Sequence, residues 1–203
     1  MPSVGRARVA ARPGRCPGEL YYQAAAGTLA AVRHGGTAFE QVYGDRFFDY
    51  LARHPEQEAT FQASMSGRAE QEAGDVVAAY DFGGLGWLVD VGGGYGILLG
   101  AVLRATPELQ AVLLSRVLHD WVDDDARRLL ATCRSTMAPE SRLLIVEVLL
   151  PERARDQPAV IRMDLHMLVL LGAHERTEAQ YRRLLGETGF RVARVVPTAP
   201  RPA

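Results

Sequence analysis

The chain has 203 residues, 48% of them apolar, which suits one sizeable domain or one domain with a small helical appendage. Its net charge of −1 gives no electrostatic drive toward nucleic acid or an anionic membrane. All basic residues are arginine, which carries no functional message. The two cysteines, Cys16 and Cys133, lie far apart without metal-type spacing, so a reduced, cytoplasmic setting is expected.

Residues 1–18 are rich in Pro, Gly and Arg, with no acid before Glu19. They read as a disordered arm and lack the apolar centre of a signal peptide. Residues 19–80 have a helical pattern. ELYYQAAAGTLAAVRHG predicts one helix, closed by Gly35 and Gly36. FEQVYGDRFFDYLARHP predicts a second, split near Gly44 and ended before Pro55. A third follows, with Phe61, Met65 and Val76 on one side. The period then changes. LGWLVDVG reads as a buried strand, ILLGAVLRATPEL as a helix and QAVLLSRVL as a second strand. DDDARRLLATCRSTM reads as a helix capped by Asp123 or Asp124, and SRLLIVEVLLP as a third strand. An apolar helix (VIRMDLHMLVLLG), another helix (RTEAQYRRLLGETG) and a last strand (FRVARVVP) complete the chain. Alternating strand and helix predicts a parallel α/β sheet, without internal repeats. The longest C-terminal apolar stretch, residues 167–173, is too short to span a bilayer.

The stretch LVDVGGGYGI puts glycines where a first strand meets a helix. Gly there lets backbone approach a ligand, and the helix offers its N-terminal N–H groups. The dinucleotide fingerprint G-x-G-x-x-G fits poorly. Started at Gly92 its third position is Ile97, and started at Gly94 it is Leu99. The pattern D-V-G-G-G-x-G resembles the first motif of S-adenosylmethionine-dependent methyltransferases instead, where the turn passes the methionine part of the cofactor. A tight turn without ligand and a nicotinamide oxidoreductase are the alternatives.

Further motifs follow in order: Leu118-His119-Asp120-Trp121, Glu147 in LLIVEVLLPE, DLHMLVLLG, Glu175-Arg176-Thr177, and YRRLLGETGF. From about Phe39 to Thr198 they resemble the O-methyltransferases of the plant caffeate type and their bacterial natural-product relatives. The resemblance implies an α/β fold with a Rossmann-like methyltransferase sheet and an N-terminal helical region. It implies S-adenosylmethionine as cofactor, held by Asp90, Gly92, Gly93, Gly94, Gly96 and Ser115. It makes His119 the general base, with Glu147 and Glu175 as flanking acids. Asp120, Met167 and Leu168 would position a small phenolic or polyketide-like acceptor, and the N-terminal helices would form a homodimer.

The chemistry agrees with the residue types. A hydroxyl is a poor nucleophile until it loses its proton, and His titrates near neutrality. A neighbouring carboxylate fixes the imidazole tautomer and stabilises its cation. Glu147, on an otherwise apolar strand, is not expected to be buried without a partner. His166 and His174 have no Cys or carboxylate cluster around them, so no metal is expected. Met163, Met167 and Leu170 read as core, and residues 123–125 as a solvated helix start favoured by the helix dipole.

The sequence also departs from the family. An acid about 20 residues after the glycine turn should take the ribose hydroxyls. The second strand carries none, and Glu108 lies in the turn before it. Beside the family, two strands and their helices are missing between the glycine turn and LLSRVLHDW. Most of the dimerisation region and the closing strand are missing too. The expected layout is thus a remnant dimerisation region over 19–80 and, over 81–203, a methyltransferase domain lacking its second and third strands. Right-handed crossovers would pull the strand at 111–118 toward the vacated side and carry His119 away, or else the linkage is irregular. Either way the first strand should become an exposed apolar edge. Two functions compete: a working O-methyltransferase, and a non-catalytic remnant that pairs with a full-length homologue.

Overall fold

A computed structural model describes residues 17–83, 88–93, 97–105 and 111–198. The arm expected over 1–18 lies outside these as far as residue 16, and α1 (Pro17–Ala25) begins at Pro17. The first predicted helix is two: α1 and α2 (Thr28–His34). The break falls at Gly27, where an added Cβ would meet the Ala38 carbonyl oxygen and Val42, so close packing of the next helix ends the first. That next helix, α3 (Ala38–Tyr43), opens on a capping box between Thr37 and Glu40. Gly44 ends it at φ +79°, as the split near that residue predicts, and α4 (Phe47–Arg53) follows. Pro55 starts the long α5 (Pro55–Ala79).

β1 (Leu88–Val91), α6 (Ile97–Ala105), β2 (Ala111–Ser115), α7 (Asp123–Thr136) and β3 (Arg142–Val146) form the α/β part. The sheet is parallel in the order β1-β2-β3, with Leu88 opposite Ala111 and Ser115 opposite Val146. Neighbouring strand residues face opposite ways. Leu113 joins Val76 of α5 and Leu98 and Val102 of α6 on one side. Leu114 joins Leu130 of α7 and Leu184 and Leu185 of α9 (Glu178–Glu187) on the other. β2 is therefore central and its apolar run is buried on both faces. α8 (Pro158–Leu171) places Val169 and Leu170 in the aromatic core of the first four helices, against Phe39, Phe47 and Tyr50.

Two expectations need correction. α7 is preceded by Val122, and neither Asp123 nor Asp124 caps it with a side chain. FRVARVVP forms no strand, since residues 190–198 join no ladder, and Val195 and Val196 stay exposed. The order β1-β2-β3 fits either outcome weighed for the strand at 111–118, and His119 lies within reach of Glu147 and Glu175. The exposed edge does occur. Among the described residues β1 ends the sheet, and Val89 is 46% exposed.

Candidate active site

His119 sits on a 3-10 turn, Leu118–Asp120, just past the C-terminal end of β2. Parallel sheets present their ligand sites at this end. Its Nδ1–H donates to Glu175 Oε1 over 2.9 Å, and both residues are buried. That bond fixes the tautomer and leaves Nε2 as the basic nitrogen, 3.4 Å from Asp120 Oδ1. Glu147, one residue past β3, comes within 3.7 Å of Nδ1 through Oε2. Its Oε1 accepts the backbone N–H groups of Val117 and Leu118 at 3.0 and 2.8 Å. Three residues distant in sequence thus converge as predicted.

Burial works against the imidazolium, but the Glu175 hydrogen bond and the charges of Glu147, Asp120 and Glu175 outweigh it. The His119 pKa rises above its usual value. Burial likewise pushes Asp120 up to about 6, against the opposing pull of His119. Glu147 is raised by burial first, with Glu175 adding to it. Perturbed groups gathered in this way are common at functional sites.

Sequence reasoning missed Arg176. It is 1% exposed and clamps the turn that carries His119. Its NH1 donates to the Leu118 carbonyl at 2.7 Å and its NH2 to the Trp121 carbonyl at 2.8 Å. Nε and NH2 both reach Asp123 Oδ1, at 3.0 and 2.8 Å. Asp123 is therefore more than a solvated helix start. Asp164 of α8 was missed as well; its Oδ1 accepts the Glu175 N–H at 2.9 Å. The signal for Arg176 was its place in Glu175-Arg176-Thr177. Asp164 gave none beyond its apolar neighbourhood.

Of the expected acceptor contacts, Asp120 is at the base. α8 packs against the 118–120 turn, with Met167 buried and Leu168 48% exposed. One helical step of about 100° separates the two, so they face different surroundings. His166 stacks edge-on against Tyr21, and His174 Nε2 lies 3.5 Å from Asp123. Donor atoms of His119, Glu147 and Glu175 lie within 4.8 Å of one another, close enough to share a cation. The His119–Glu175 hydrogen bond already occupies the ring nitrogen on that side, so the trio is better suited to handling a proton.

On the cofactor side, Gly94 and Gly96 lie outside the described residues. Gly92 follows β1 at φ +73°, and an added Cβ would come 2.8 Å from Val117 Cγ2. A Cβ on Gly93 would overlap the Asp90 carboxylate. Asp90 Oδ1 is buried with no hydrogen-bond partner among the described residues, and burial raises its pKa. Ser115 closes β2 beside Val146.

Gly92 and Gly93 after β1 and a His between two carboxylates after β2 stand at the C-terminal edge of one parallel sheet. The O-methyltransferase domain profile matches residues 27–112 and 104–191, and the chain belongs to this family. Phenazine O-methyltransferase PhzM of Lysobacter antibioticus is 37% identical over 225 residues, covering 90% of this chain and 65% of that enzyme. The mitomycin biosynthesis 6-O-methyltransferase of Streptomyces lavendulae is 33% identical, over 85% of this chain and 61% of its own length. The neocarzinostatin-biosynthesis O-methyltransferase NcsB1, solved with S-adenosylmethionine and 2-hydroxy-5-methyl naphthoic acid, superposes with a TM-score of 0.74. It is 26% identical, over 83% of this chain and 63% of its own. The chain thus spans less than two thirds of these proteins. The 225-residue alignment is longer than the chain's 203 residues, so PhzM carries residues with no counterpart here. The profile match is also split into two segments that overlap over residues 104–112.

The described residues fit one end of S-adenosylmethionine. The side-chain-free turn at Gly92 and Gly93 and the orphaned Asp90 oxygen suit its methionine end. For the ribose end, the only acid between Gly92 and Ser115 is Glu108, outside the described residues.

Proposed function

We propose that the chain is an S-adenosylmethionine-dependent O-methyltransferase for a hydroxyl of a small aromatic or polyketide-like acceptor. The observation that carries this is the buried His119–Glu175 hydrogen bond, which leaves Nε2 basic at the ligand edge of the sheet. Bound S-adenosylmethionine supplies an electrophilic methyl group on a positively charged sulfur. Asp90, Gly92 and Gly93 would hold its methionine end, with Ser115 at the neighbouring strand end. His119 Nε2 takes the acceptor's hydroxyl proton, leaving an oxygen nucleophile. Glu175 stabilises the imidazolium through Nδ1–H, and Glu147 adds negative charge nearby. Asp120 would orient the acceptor beside Nε2, and Met167 and Leu168 of α8 would offer it apolar surface.

No helix among the described residues is long and apolar enough to cross a membrane, and the reaction suits the cytoplasm. The remnant dimerisation region at 19–80 would pair two copies through its exposed apolar side chains, Tyr22, Leu29 and Val32. The test is methyl transfer from radiolabelled donor to a panel of small phenols. Transfer by the wild type and its loss in His119→Ala would support the reading. Transfer that survives in His119→Ala would end the general-base assignment.

The missing acid on β2 and the split profile match favour a second reading: a non-catalytic remnant acting as a dimerisation partner. Co-elution with a full-length homologue, without any transfer, would support it.

A further inference from the structure

Arg116 stands between β2 and the His119 turn with φ +55°. It is the only non-glycine residue with positive φ among those described. Such strain in a bulky residue persists only where the surroundings enforce it, and it clusters at functional positions. Here the cause and the consequence are both visible. Val117, next in the chain, returns to right-handed geometry at φ −117° and ψ −47°. A left-handed residue followed by a right-handed one turns successive backbone N–H groups toward one point, forming a small anion nest. The N–H groups of Val117 and Leu118 do converge, on Oε1 of Glu147. That grip leaves Oε2 of Glu147 facing His119 Nδ1.

The strained residue is tethered twice. Its own N–H donates to the Val146 carbonyl, the residue before Glu147, at 3.0 Å. Its guanidinium reaches across to α5, where Nε and NH2 meet the two Glu72 oxygens at 3.3 and 2.8 Å. Glu72 belongs to the N-terminal helical region, 44 residues away in sequence.

We propose that Arg116 is a positioning residue whose left-handed backbone, held by Glu72, builds the nest that aims Glu147 at His119. The helical region thereby takes part in ordering the catalytic turn, besides any role in pairing. This inference rests on the proposed role of His119, but its test does not require transfer.

The decisive comparison is Arg116→Gly against Arg116→Val. Glycine adopts the left-handed conformation without strain, and a β-branched residue does not. Histidine ring nitrogens in labelled protein would be followed by NMR against pH, with circular dichroism to establish folding. Arg116→Gly should keep the wild-type His119 tautomer, and any shift from the lost guanidinium charge is common to both variants. Arg116→Val should lower the His119 pKa, because Glu147 loses its lock. Glu72→Gln should lower it too, but should have no further effect in the Arg116→Gly background, where the tether is no longer needed. If transfer is present, Arg116→Val should lose on the order of a hundredfold in kcat with little change in KM, the scale expected for a misplaced catalytic group. Glycine and valine variants that titrate alike at His119 would overturn the proposal, as would a Glu72→Gln effect undiminished in the glycine background. If Arg116→Val does not fold, the Glu72 pair decides alone. A wild type that transfers no methyl while these His119 shifts appear would sink the enzymatic reading and leave this inference standing.

Discussion

On the β2–β3 side of the molecule, each buried charged side chain has a partner, although Glu147 Oε2, Glu175 Oε2 and the Tyr181 hydroxyl have no hydrogen-bond partner among the described residues. His119 has Glu175, Glu147 has two backbone N–H groups, and Arg176 has two carbonyls and Asp123. On the β1 side the picture is sparser. Asp90 keeps an oxygen without a partner among the described residues, Val89 is exposed, and β2 brings no acid next to the glycine turn. On the function proposed above, the difference teaches that the groups for a methyl donor and the groups for a proton stand on separable pieces of the fold. The latter depend on β2, β3, α8 and α9, all of which are present.

If this contrast is sound, damage on the two sides should have different signatures. The largest effect is expected from His119→Ala, which should cost roughly 10²- to 10⁴-fold in transfer, the usual share of general base catalysis, while leaving binding of S-adenosylhomocysteine intact. Next comes Arg176→Met. It removes a buried cation that donates to two carbonyls and Asp123, so it should cost about 3 kcal/mol or more of stability in urea unfolding. A cost below about 1 kcal/mol would show that the clamp is not structural.

The donor side answers differently. Gly93→Ala drives a methyl into the Asp90 carboxylate. It should weaken S-adenosylhomocysteine binding by about tenfold or more, which is 1.4 kcal/mol. The His119 titration should not change.

A gentler probe is pH. His119 and Asp120 both have raised folded pKa values. The folded state therefore binds more protons than the unfolded state. Their contributions are full at low pH and are lost as pH rises: for Asp120 between its ordinary 3.8 and about 6, for His119 from 6.5 upward. Asp120→Asn should flatten the first part of this decline in stability and shrink the second, because it removes one of the charges that raise His119. Because the base must be unprotonated, kcat/KM should rise with pH through a value above 6.5.

The smallest effect is at the sheet edge. Val89→Lys should reduce self-association in light scattering while shifting stability by no more than about 0.5 kcal/mol.

Much of this was legible in the sequence because the signals are local. The split at Gly44, the start at Pro55 and the glycine turn each follow from one or two residues. The His119–Glu147–Glu175 constellation was reached through motifs whose chemistry is shared by the family. Other features depend on tertiary context. The break at Gly27 reflects the closeness of Ala38 in the next helix. The failure of FRVARVVP to form a strand reflects the want of a neighbouring ladder, which no propensity records. Asp123 read as a cap because acids favour helix starts, but Arg176, 53 residues on, takes its carboxylate. The side on which β2 joins β1 depends on a crossover of the whole chain, whereas the surroundings of His119 are set by its contacts with Glu175 and Glu147.

The central claim is that the donor side, though reduced, still grips the methionine end of the cofactor beside an intact base. Calorimetric titration of S-adenosylhomocysteine into the folded protein tests it most directly. The account predicts saturable binding with a Kd on the order of 1 to 100 μM, or about −8 to −5.5 kcal/mol. No heat at millimolar ligand, with folding established by circular dichroism, would contradict it and leave the glycine turn as scaffold without a ligand.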